Sequence, residues 1–110
     1  IYTNNGDETF TSGIIGAQED ISFSGSWFDI DVDGDLDLLA IKSLTLALFR
    51  NDGGTFVEVP GLFSTSSNWS VTTVDIDNDG DLDVFMPPRN SGEPKSLYRN
   101  NGNGTFTLLN

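Results

Sequence analysis

The chain contains no cysteine and no histidine. Disulfides are therefore excluded, as are zinc sites built on thiolate or imidazole ligands and every mechanism that needs a histidine base. Positive charge is nearly as scarce. Five Lys and Arg stand against 17 Asp and Glu, giving a net charge of −12 over 110 residues. Five cations cannot build the basic patch of a nucleic-acid surface, so no nucleic-acid partner is expected. No stretch approaches the roughly 18–20 apolar residues of a membrane helix, and no signal-peptide pattern occurs, so membrane insertion is not expected either. The chain opens on Ile1 without an initiator Met and is expected to be excised from something longer.

What is present argues against disorder. Apolar residues make up 36% of the chain and aromatics 11%, enough to build a core. The charge is also local. Asp29, Asp31, Asp33, Asp35 and Asp37 form one acidic run, and Asp75, Asp77, Asp79, Asp81 and Asp83 form another. Without these ten acids the chain would carry a net charge of only −2.

Both runs belong to an internal repeat. Asp29-Ile-Asp-Val-Asp-Gly-Asp-Leu-Asp-Leu38 returns at an offset of 46 as Asp75-Ile-Asp-Asn-Asp-Gly-Asp-Leu-Asp-Val84. A second motif occurs three times: Tyr2-Thr-Asn-Asn-Gly6 leading to Phe10, Phe49-Arg-Asn-Asp-Gly53 leading to Phe56, and Tyr98-Arg-Asn-Asn-Gly102 leading to Phe106. The organisation expected is one module: residues 1–23 as the C-terminal half of a blade, 24–68 as a first full blade and 69–110 as a second. Within a blade the pattern predicts four strands, at about 25–29, 36–42, 44–50 and 55–59, then 71–75, 82–86, 96–99 and 105–109. Asn-Gly pairs at the turns favour tight hairpins because both residues accept positive φ. Four short antiparallel strands with no helix between them make one β-propeller-type blade, so the fold expected is all-β. About two and a half repeats cannot close a ring of four to eight blades as a single chain.

In each acidic loop the acids occupy positions 1, 3, 5, 7 and 9, with Gly34 or Gly80 at position 6. Alternating carboxylates on a tight loop can converge on calcium, which takes six to eight oxygens at about 2.3–2.6 Å. The side chains of Asp29, Asp31, Asp33 and Asp37, with the backbone carbonyl of Asp35, are the expected ligands of one ion. Asp75, Asp77, Asp79 and Asp83, with the carbonyl of Asp81, are those of a second. Leu36 and Leu82 are expected to point into the blade and anchor the loops. An EF-hand fails at position 12, where its bidentate Glu is replaced by Ala40 or Met86. Plain Asp-Gly turns are the simpler alternative. A turn needs one or two Asp, however, whereas five like charges in nine residues repel one another unless a cation neutralises them. Magnesium fits less well, because it prefers a strict octahedron and keeps its waters.

The acidic loops, combined with Leu97-Tyr-Arg-Asn-Asn-Gly-Asn-Gly-Thr-Phe106, resemble the FG-GAP/VCBS repeats of integrin alpha-subunit propellers and many bacterial surface proteins. The resemblance implies calcium loops on one face of a seven- or eight-bladed propeller. It also implies an extracellular or cell-surface setting and a role in adhesion or in recognition of a protein or glycan. The chain departs from that pattern in its number of repeats. The partners expected are other copies of itself or neighbouring blades of a longer chain, and no enzymatic activity is expected. Alternatives are a fragment of a carbohydrate-active enzyme, such as a calcium-dependent polysaccharide lyase, or a structural spacer of a surface protein.

Other residues have ordinary readings. Trp27 and Trp69 are expected to pack beside the first strands, with stacking on a sugar as the alternative. Phe10, Phe56 and Phe106 recur in phase and are expected in the core. Lys42, Arg50, Arg89, Lys95 and Arg99 are expected as solvated charges that discourage edge pairing. Asn68 and Asn103 head glycosylation sequons. The Pro87–Pro94 loop is a plausible recognition surface.

Overall fold

The computed structural model describes residues 1–15, 21–43, 45–64 and 69–109, with side chains left aside for 21–23. Ten strands follow in chain order: β1 (Tyr2–Asn4), β2 (Phe10–Ser12), β3 (Ile21–Phe28), β4 (Asp37–Lys42), β5 (Thr45–Asp52), β6 (Thr55–Val59), β7 (Thr72–Val74), β8 (Asp83–Met86), β9 (Ser96–Asn100) and β10 (Phe106–Leu109). There is no helix among the described residues, and therefore none long and apolar enough to cross a membrane.

The strands form a two-stranded hairpin, β1–β2, and two four-stranded antiparallel sheets, β3-β4-β5-β6 and β7-β8-β9-β10. Each sheet is one up-and-down meander, the blade topology that the repeats predict. The fold is all-β and not closed. Observed strand ends agree with the expected ones to within a residue or two, except at β3. That strand begins at Ile21, earlier than the pattern around Gly25 suggests, and its register with β4 shifts between Ile21 and Gly25. A bulge of this kind lets a strand keep pairing past an irregularity. Residue 44, the expected start of β5, lies outside the described residues.

The blades pack face to face. One face of the first blade presents Leu39, Ile41, Leu46 and Leu48, and it meets Val71, Val84, Met86 and Tyr98 of the second. Val59, Phe63 and Phe106 fill the rim of this core. Phe63 lies 5.1 Å from both Tyr98 and Phe106, edge-on to the first and tilted against the second. The innermost strands also touch: Ser26 and Thr73 share a hydroxyl hydrogen bond at 3.0 Å, and the Val71 N–H donates to Ser24 Oγ. The opposite face of the first blade forms a smaller cluster of Leu38, Ala40, Ala47 and Phe49 against Ile15 and Phe56.

Three expectations about packing are corrected. Phe56 and Phe106 join the cores, but Phe10 is 60% exposed, because the described residues around it hold no counterpart of Phe63. Trp27 and Trp69 are both surface residues. Trp27 touches Phe56 edge-on, while Trp69 lies beneath the Arg89 guanidinium at 4.5 Å. Two of the five cations are ion-paired, Lys42 with Glu58 and Arg50 with Asp52, each at 2.8 Å. Asn68 lies outside the described residues, and Asn103 sits in the β9–β10 turn, accepting hydrogen bonds from Thr105.

Candidate metal loops

Both acidic segments connect the first two strands of a blade, β3 to β4 and β7 to β8. Their backbones coil the same way. Position 4 has positive φ in each (Val32 at 61°, Asn78 at 62°), and so has the glycine at position 6 (Gly34 at 97°, Gly80 at 99°). Two left-handed residues close together turn the chain sharply within each loop.

Carboxylates at position 1 hold the coil. Asp29 accepts the N–H groups of Asp33 and Gly34, at 3.1 and 2.9 Å. Asp75 accepts those of Asn78 and Gly80, at 2.6 and 3.1 Å. Asp33 and Asp79 each accept the N–H two residues on, a local Asx turn.

Position 9 ties the loop to the blade. Asp37 and Asp83 are the first residues of β4 and β8, and both are fully buried. Asp37 accepts the N–H of Ile30, inside the loop, and that of Asn51, on β5, both at 2.7 Å. Asp83 accepts from Ile76 at 2.9 Å and from Asn100, on β9, at 2.7 Å. Burying a carboxylate is costly unless it is hydrogen-bonded, and here both oxygens are satisfied by backbone donors. Burial raises the Asp37 carboxyl above the ordinary carboxylate range; the Asn51 and Ile30 N–H groups oppose that shift, and the charges of Asp31 and Asp33 add to it. Asp77 is also raised, first by partial desolvation and then by the charges of Asp79 and Asp83.

Three of the expected ligands meet in each loop. Asp29, Asp31 and Asp37 each bring a carboxylate oxygen into a group whose members lie within 4.8 Å of one another, and Asp75, Asp77 and Asp83 do the same. Atoms bound to one calcium ion lie at most about 4.6–5.2 Å apart, so the spacing fits a shared cation. The donors are all carboxylate oxygens, hard ligands suited to calcium, magnesium or manganese. Each Asp37 or Asp83 oxygen accepts one hydrogen bond and keeps a second lone-pair direction. These two groups could hold metal ions.

The side chains of Asp33, Asp35, Asp79 and Asp81 are not members of the two groups. Asp33 and Asp79 are engaged in their turns. Asp35 accepts the Gly53 N–H at 3.0 Å, and the Asp81 carboxylate lies against Gly102, so close that a Cβ there would stand 2.5 Å from Oδ2. Leu36 and Leu82 are corrected: both are exposed. Side chains alternate along an extended segment, so once Asp37 and Asp83 point inward the residues before them point outward.

The pattern of acids did not reveal Asn51 and Asn100. Each gives its backbone N–H to the buried Asp and its side-chain amide to the carbonyl of Leu36 or Leu82, at 3.1 and 3.3 Å. Each also accepts an N–H from the following turn, from Gly54 at 2.7 Å and from Gly102 at 3.0 Å. The signal was visible in the thrice-repeated Asn-Asn/Asp-Gly motif, which serves the acidic loop as well as the hairpin.

The sequence profile of the FG-GAP-like repeat family matches residues 29–86, from the first acidic loop to the end of β8. The chain belongs to the FG-GAP-like repeat family. Comparisons with curated proteins and with solved structures find no match. For this FG-GAP-like chain, the matched span holds both acidic loops and the strands from β4 to β8.

Proposed function

We propose that the chain is a calcium-binding β-propeller repeat module for extracellular recognition or adhesion, in which the metal is structural. One observation carries the calcium reading: in each blade a buried carboxylate, already fixed by two backbone N–H groups, is joined by two others in one ligand-sized group. Asp29, Asp31 and Asp37 hold one ion and Asp75, Asp77 and Asp83 the other, and the side chains of Asp33 and Asp79 with the backbone carbonyls of Asp35 and Asp81 complete the shells. Calcium supplies positive charge where like charges crowd. Two ions take the formal net charge from −12 to −8.

The same geometry supports a structural role for the ion. Asp37 and Asp83 bridge the loop to β5 and β9, so an ion on them ties the loop to two strands of its blade. Extracellular calcium concentrations suit a loop that lacks a bidentate Glu. Recognition of a protein or glycan falls to the exposed surfaces, which include Trp69 under Arg89 and the Pro87–Pro94 loop, and we assign no catalysis to the chain.

Occupancy at 100 times Kd adds about 2.7 kcal/mol per site. The melting temperature should therefore fall by several degrees when calcium is removed with a chelator and return when it is restored. An unchanged melt after verified metal removal contradicts the reading.

A further inference from the structure

The contact between the two blades is built from repeat positions that recur, uncovered, elsewhere on the molecule. In that contact the first blade offers Leu39, Leu48 and Val59, and the second answers with Tyr98 and Phe106. Their counterparts can be read from the repeat. Leu39, Leu48 and Val59 correspond to Phe85, Leu97 and Leu109, while Tyr98 and Phe106 correspond to Tyr2 and Phe10.

Phe85, Leu97 and Leu109 lie together on the outer face of the second blade. With Pro88, Pro94 and the stems of Glu93 and Lys95 they line an apolar groove of about 610 Å³. Tyr2 and Phe10 project from the β1–β2 hairpin at 75% and 60% exposure. That hairpin is a copy of β9–β10. Asn4 pairs with Phe10 as Asn100 pairs with Phe106. The turn bonds match too, from Asn5 to Thr9 and from Asn101 to Thr105 at 2.9 and 3.0 Å. The two aromatic side chains are thus displayed in the arrangement that Tyr98 and Phe106 use inside the molecule.

We propose that the Phe85–Leu97–Leu109 groove receives Tyr2 and Phe10 of a second copy of this chain, repeating between molecules the contact made between the two blades. The occupant follows from the structure itself, because the equivalent aliphatic face is met here by the equivalent aromatic pair, together with Val71, Val84 and Met86. Aromatic anchors in an apolar groove are the contacts that carry most binding energy at interfaces. The two surfaces differ, so the association is head-to-tail and each dimer keeps one free groove and one free pair of anchors. This inference does not rest on calcium, and sedimentation with and without the metal keeps the two readings separable.

Sedimentation velocity tests it with two variants. Tyr2→Glu/Phe10→Glu removes the anchors and keeps the groove; Leu97→Glu spoils the groove and keeps the anchors, with Leu109→Glu as its substitute if that variant fails to fold. The unaltered chain should sediment faster as concentration rises from micromolar to several hundred micromolar. Each variant alone, with circular dichroism like that of the unaltered chain, should remain monomeric. An equimolar mixture should form a dimer and nothing larger, since only one productive joint is possible. A chain that stays monomeric throughout, variants that still associate alone, or a mixture that does not pair would each overturn the proposal.

Discussion

At the scale of single residues, Asp37 and Asp83 do two things. They satisfy backbone donors from two parts of their blade, and each brings an oxygen to the acidic group beside it. Position 4 of the loop shows the opposite situation, a residue type that works against its own backbone. Val32 holds φ at 61° while 76% exposed, although a β-branched side chain disfavours the left-handed region. The second loop places Asn78 there at 62°, a residue whose short amide tolerates that conformation. Val32→Asn should therefore stabilise the chain by about 1 kcal/mol, a rise of about 4 °C in a domain of this size. Thermal unfolding of the two proteins side by side checks this. An equal or lower melting temperature would show that Val32 is not strained or that its side chain has a contact to lose.

At the scale of elements, the unit is the acidic loop together with the hairpin that closes the same blade. Asn51 and Asn100 join the two, which explains why both motifs recur at nearly the same interval. Repeat number, strand order and the position of the loops were legible in the sequence, because alternation and turn residues determine local pairing. Exposure was less legible. Phe10 and Phe106 sit in the same motif and register, yet only Phe106 has Phe63 beside it. Leu36 and Leu82 look like anchors in the sequence; they face outward because the next residue is committed inward by hydrogen bonds that no spacing reveals. Coupling within the loop also sets the response to pH. Asp37 and Asp77 have raised carboxyls, so the folded metal-free chain holds protons more tightly than the unfolded chain, whose Asp groups titrate near 3.8. Stability contributed by that difference is present at low pH and is lost as pH rises through the raised values. Acidifying metal-free protein from neutral to mildly acidic pH should raise its melting temperature, while the added stability from calcium declines as protons compete for the same oxygens. Melts at both pH values, with and without calcium, should show the calcium effect shrinking. A calcium effect that grows on acidification would contradict the assignment of these carboxylates.

At the scale of the whole molecule, the charge and the shape share one explanation. Ten of the 17 acids sit in two loops, and the rest of the chain is nearly neutral, so the molecule is acidic at two points and apolar at its blade faces. One blade face is covered by the neighbouring blade, and its counterpart forms an open groove. The central claim is that each loop is the site of one calcium ion. Calorimetric titration of metal-stripped chain with calcium tests it most directly, using Asp77→Ala beside the unaltered protein. Two bound ions per chain are predicted, falling to one in the variant; no binding, or two ions retained by Asp77→Ala, would contradict it.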